Sequence, residues 1–141
     1  MPSISPLRLA LAAGATLVSA HGHIQEIVIN GKSFDGWNAG AKTPANGIAW
    51  QTTATDNGFV GPEDFGSSDI ACHKGGKAAT ASAKVAAGDK IELKWDTWPE
   101  SHKGPVLDYL AACDGDCSSA DPGSLSFFKI DEAGLVDGSS A

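Results

Sequence analysis

The stretch Lys90-Ile91-Glu92-Leu93-Lys94-Trp95-Asp96 alternates three apolar side chains with four charged ones. Successive side chains of a strand point to opposite faces, so a period of two puts Ile91, Leu93 and Trp95 on one face and the charges on the other. The pattern predicts a half-buried β-strand, entered through the turn residues Ala87-Gly88-Asp89. One face is expected to pack, with Trp95 toward the core, and the other to meet water. Working outward, Ile24 to Ile29 is a second apolar run, and it stops at Asn30-Gly31, a strong signal for a tight turn. Ile48-Ala49-Trp50, Val106 to Leu110 and Leu125 to Ile130 make three shorter runs, and no stretch sustains a helical period. Seventeen glycines and seven prolines fall mostly between these runs, as loop residues do. The fold expected is therefore all-β, an immunoglobulin- or fibronectin III-like antiparallel β-sandwich with long loops. Such a sandwich needs about seven strands. Only about five are visible before the segment Gly134 to Ala141, so the sandwich is expected to be truncated on its C-terminal side.

The other end of the chain sets the chemistry. Residues 1–20 carry one basic side chain, Arg8, then an apolar run from Leu9 to Val18, and close on Val18-Ser19-Ala20. Charge, apolar run and small residues in that order make a signal peptide, and the run is too short to span a bilayer. Secretion is the expectation, with His21 as the first residue of the mature chain. Removing residues 1–20 from the 141 leaves 121, enough for one domain, and the loss of Arg8 takes the net charge from −7 to −8. An acidic chain without a basic cluster is unsuited to nucleic acid or to an anionic membrane surface.

Outside the cell, cysteines are expected to pair. Cys113 and Cys117 sit in Cys-Asp-Gly-Asp-Cys, a short loop able to bring the two sulfurs together, which leaves Cys72 over. His73, beside a buried Cys72, reads as structural. Glu100 and Asp108 form at most a weak case for a two-carboxylate glycosidase, since nothing in the sequence sets their separation. Lys103 reads as a solvated charge, and Trp37 either stacks on a sugar or covers a loop.

A chain that begins with histidine offers its α-amine and Nδ1 to one metal ion. A further imidazole, from His23, His73 or His102, would complete a planar three-nitrogen site, a donor set that suits copper. His102 lies in the Pro/Gly-bounded loop Trp98 to Val106, between two strands. A rival exists within His21-Gly22-His23 alone. The amine, two deprotonated backbone amides and the His23 imidazole can wrap copper(II) in a square plane without help from the fold.

Five blocks in order then carry a resemblance. They are His21-Gly22-His23; Ala49-Trp50 with Thr52-Thr53-Ala54-Thr55-Asp56; Asp69-Ile70-Ala71-Cys72-His73-Lys74-Gly75; Trp98-Pro99-x-Ser101-His102-x-Gly104-Pro105-Val106-x-Asp108-Tyr109-Leu110-Ala111; and Cys113-x-Gly115-x-Cys117. Together they resemble fungal lytic polysaccharide monooxygenases of auxiliary activity family nine, through nearly the whole of residues 21–141. The resemblance implies an extracellular enzyme with one copper ion per chain, held by a histidine brace that falls on His21 and His102. It implies oxidative cleavage of cellulose or a related β-1,4-glucan at C1, C4 or both. It also implies O2 or H2O2 as oxidant, an external electron donor, and a monomer. The chain resembles roughly the first half of the family's domain. The remainder normally supplies an axial tyrosine, an outer histidine and glutamine, and the partner of the cysteine matching Cys72. A non-catalytic secreted copper- or carbohydrate-binding module is the alternative.

Overall fold

The computed structural model describes residues 21–38, 47–98 and 103–134. The signal peptide expected at residues 1–20 lies outside them, as do Glu100 and His102. Five strands dominate: β1 (Ile24–Ile29), β2 (Lys32–Asp35), β3 (Ile91–Trp95), β4 (Val106–Ala111) and β5 (Phe127–Ala133). The only α-helix among the described residues is one turn, α1 (Asp69–Cys72). The strands form two sheets, β2-β1-β3 and β4-β5, with every neighbouring pair antiparallel. No described helix is long and apolar enough to cross a membrane.

Local chemistry explains most of the first sheet. Asn30 and Gly31 both take positive φ, 51° and 76°, so the chain reverses in two residues and Ile29 pairs with Lys32. Asn tolerates that conformation and Gly has no Cβ to oppose it. Strand β2, Lys-Ser-Phe-Asp, carries too little apolar character to be read from sequence; the hairpin turn makes it.

The β1–β3 pairing contains a register shift between Ile24 and Glu26: Ile24 faces Trp95, while Glu26 faces Lys94. A regular strand would have brought Gln25 to the face shared by Ile27 and Ile29. The bulge puts Ile24 there instead, opposite Trp95, and so restores an apolar face from an Ile-Gln-Glu-Ile-Val-Ile sequence that does not alternate. On the other face Lys94 Nζ lies 2.8 Å from Glu26 Oε2, and Ser33 donates its hydroxyl to the same carboxylate. Those two hydrogen bonds, Lys94 first, hold the Glu26 carboxyl below its ordinary pKa.

Three expectations need correction. Ile48-Ala49-Trp50 is not a strand. Pairing starts one residue later, as a single bridge between Gln51 and Lys77 with backbone bonds of 3.0 and 2.8 Å. The run expected over Leu125 to Ile130 forms its strand later, as β5, because Pro122–Ser124 closes a 3-10 turn just before it. Most consequential, the apolar face of β3 is not packed: Ile91, Leu93 and Trp95 remain 44%, 41% and 39% exposed. The alternation is as expected, but the face borders an open groove of about 560 Å³, lined also by Ile24, Trp98 and Leu107, so Trp95 packs edge-on to Trp98 and not into a filled interior. The only described apolar side chains that are buried belong to Ile29 and Ala79.

The cysteine expectation holds. Cys113 and Cys117 are bonded, with Cα atoms 5.3 Å apart, and Cys72 is free. Asp116 accepts a hydrogen bond from the Ser118 N–H at 2.9 Å, which tightens that loop.

Candidate metal centre

The arm His21-Gly22-His23 extends β1 backward and runs beside the segment that follows β3. The Asp96 N–H donates to the His23 carbonyl at 3.0 Å, one pairing beyond the bulge. Gly22 presses against the next residue so closely that a methyl built on it would overlap the Thr97 carbonyl oxygen. Only glycine fits a backbone approach of that kind.

Asp96 fixes the arm with its side chain as well. Its Oδ1 accepts from the N–H groups of His23, at 2.8 Å, and Thr97, at 2.7 Å. Its Oδ2 lies 3.1 Å from His23 Nδ1, a charge contact without hydrogen-bond alignment. Burial pushes the Asp96 carboxyl up, but the two amide donors and the nearby imidazole together outweigh it and hold the group below its ordinary pKa. The His23 ring stands edge-on to Trp37, with centroids 6.1 Å apart, and its Nε2 is buried with no hydrogen-bond partner among the described residues. Trp37 therefore lies against His23.

His21 is half-buried, its ring tilted 38° to that of Phe59 with centroids 5.4 Å apart. His73 closes α1 with φ at 67°, and its Nδ1 has no hydrogen-bond partner among the described residues. Beside it, burial pushes the Cys72 thiol up, away from the reactive thiolate. Asp108 sits half-buried in β4. Among the described residues no three His, Cys, Asp or Glu side chains converge on a common metal position. Of the two ligands expected from the sequence, His21 is described and His102 is not, and Asp96 fixes the arm at His23, two residues beyond His21.

Sequence reading missed Asp96. It counted the residue as the last charge on the wet face of a strand, and no local signal marks it, because its partner His23 is 73 positions away. The bulge in β1 was equally silent. Copper fits the donor chemistry present at the arm: once its amine is free, His21 offers two nitrogens able to close a chelate ring, and nitrogen donors suit copper in either oxidation state.

The model of Auxiliary Activity family 9, formerly glycoside hydrolase family 61, matches residues 21–141. The chain belongs to Auxiliary Activity family 9. It is 51% identical to AA9 family lytic polysaccharide monooxygenase D of Podospora anserina, over 100% of this chain and 43% of that protein. It is 48% identical to AA9 family lytic polysaccharide monooxygenase G of Malbranchea cinnamomea, over 99% of this chain and 58% of that one. This AA9 chain therefore spans about half the length of these relatives. Among solved structures, the extended catalytic domain of Hypocrea jecorina LPMO9A superposes with a TM-score of 0.76 at 42% identity, covering 83% of this chain and 49% of the other. The two described sheets are AA9 β-sandwich sheets.

Proposed function

We propose that residues 21–141 are the amino-terminal portion of a secreted, copper-dependent lytic polysaccharide monooxygenase, released from a signal peptide at residues 1–20. Its substrate is cellulose or a related β-1,4-glucan, cleaved oxidatively at C1, C4 or both with O2 or H2O2 and an external electron donor. It works as a monomer with one copper ion per chain. The observation that carries the reading is where the family match begins: at His21, the residue that the Val18-Ser19-Ala20 cleavage pattern would leave first.

His21 would hold the metal through its amine and Nδ1, and His102 would supply the third nitrogen. Copper, when bound, would supply the one-electron redox chemistry that activates the oxidant against a glycosidic C–H bond. The chain's own part is to hold the ligands. Asp96 and the close approach of Gly22 to Thr97 keep the His21 arm beside the segment that reaches His102 five residues later. Phe59 lies beside the His21 ring, with centroids 5.4 Å apart.

The test is mass spectrometry of products from cellulose incubated with copper-loaded protein beginning at His21 and with ascorbate, alongside His102→Ala. Oxidised oligosaccharides that vanish in the variant are expected. Bound copper without oxidised products would overturn the enzyme reading in favour of a secreted copper- or carbohydrate-binding module.

A further inference from the structure

We propose that Asp96 is a positioning residue that withholds His23 from copper, so that the amino-terminal tripeptide presents His21 alone to the metal. The proposal deepens the copper reading above and rests on it. With a free amine, His21-Gly22-His23 contains every nitrogen of a square-planar copper(II) chelate: the amine, the amides of Gly22 and His23, and Nδ1 of His23. Such a site competes directly with a brace, because both use the same amine. It is also open to any extended or unfolded form of the chain, since it requires no tertiary contact.

In the fold, both nitrogens that His23 would contribute face one carboxylate. The His23 N–H donates to Asp96 Oδ1 at 2.8 Å, and Nδ1 lies 3.1 Å from Oδ2. Wrapping the tripeptide around an ion would also need Gly22 to turn away from the Thr97 carbonyl, the His23 carbonyl to give up the Asp96 N–H at 3.0 Å, and the ring to leave Trp37. A chelate that must break all of these at once is disfavoured in the fold. The His21 ring lies outside the clamp, tilted against Phe59 with centroids 5.4 Å apart. Asp96 thereby selects between two copper sites that share an amine.

The test uses protein whose amino terminus is verified as His21, loaded with one equivalent of copper(II). Electron paramagnetic resonance and visible d–d absorption separate in-plane ligation by four nitrogens from ligation by three. The expected wild-type spectrum is the three-nitrogen form, unchanged in His23→Gln. Asp96→Ala is expected to convert at least half of the copper to a four-nitrogen form that disappears in Asp96→Ala/His23→Gln. Asp96→Asn keeps an oxygen acceptor for the His23 amide and is expected to stay close to wild type.

Wild-type protein that already shows the four-nitrogen spectrum, lost in His23→Gln, would overturn the proposal. So would a folded Asp96→Ala with an unchanged spectrum. Because Asp96→Ala can fail to fold, hydrogen exchange on wild type decides independently. The His23 amide should stay protected when copper binds, and loss of that protection overturns the clamp. A His102→Ala spectrum identical to wild type would instead sink the copper reading and leave the clamp to be judged by the His23 amide.

Discussion

Gly22 occupies a position where the absence of a side chain is the function of the residue. A methyl there must displace the Thr97 carbonyl, and with it the Asp96–Thr97 turn that holds His23. Forcing a side chain into a filled site typically costs about 1–3 kcal/mol. Gly22→Ala should therefore lower the denaturant midpoint by that much at unchanged slope, and weaken copper binding about tenfold, the lower end of what disturbed outer contacts usually cost a metal site. Gly31 makes a useful contrast. A Cβ there meets nothing within 4 Å, but φ is 76°, so the cost of Gly31→Ala is backbone strain alone, about 1–2 kcal/mol. A urea titration of both variants, read with copper affinity, separates them: Gly31→Ala should lose stability and keep its affinity for the metal.

At the scale of elements, the first sheet is tied across its wet face by Glu26, which joins β2 through Ser33 and β3 through Lys94. Those bonds depress the Glu26 pKa on folding, so their contribution is fully present above the ordinary value of 4.5 and is lost as the pH falls through the lower folded value. Glu26→Gln should flatten the acid limb of melting temperature against pH below about 4.5 and leave the neutral limb nearly parallel to wild type. The Cys113–Cys117 bond closes the loop after β4. With a sequence separation of 4 the loop is short, and chain entropy gives its closure about 2 kcal/mol, less than a long loop would gain. Replacing both cysteines with serine should lower the unfolding free energy by that amount, measured by chemical denaturation under oxidising conditions.

For the whole molecule, the arrangement of apolar surface is the dominant feature. Ile91, Leu93 and Trp95 on β3, Leu107, Tyr109 and Leu110 on β4, and Phe127, Phe128 and Ile130 on β5 are all between 39% and 57% exposed. Contiguous apolar surface on strands drives association, through both side chains and unpaired edges. Residues 21–141 on their own should bind a hydrophobic dye and self-associate at micromolar concentration, in contrast to the monomer proposed for the whole enzyme. Phe128→Lys, which replaces a ring 57% exposed, should reduce light scattering without lowering the melting temperature. A monodisperse wild type that binds no dye would refute this.

The sequence by itself determined the features that depend on neighbours along the chain. Alternation marked β3, the apolar runs marked β1 and β4, Asn30-Gly31 marked the hairpin turn, and the spacing of Cys113 and Cys117 marked their bond. The order of the motif blocks pointed to the family, because motif order is itself a property of the chain. Strand β2 was missed because its stability comes from the turn and not from its composition. Only the tertiary structure decided the rest. The bulge that brings Ile24 opposite Trp95, the passage of Gly22 beside Thr97, and the capture of His23 by Asp96 all join the start of the chain to a segment more than seventy residues later. Such contacts depend on the register in which β1 meets β3, and a shift of one residue would turn every side chain to the other face.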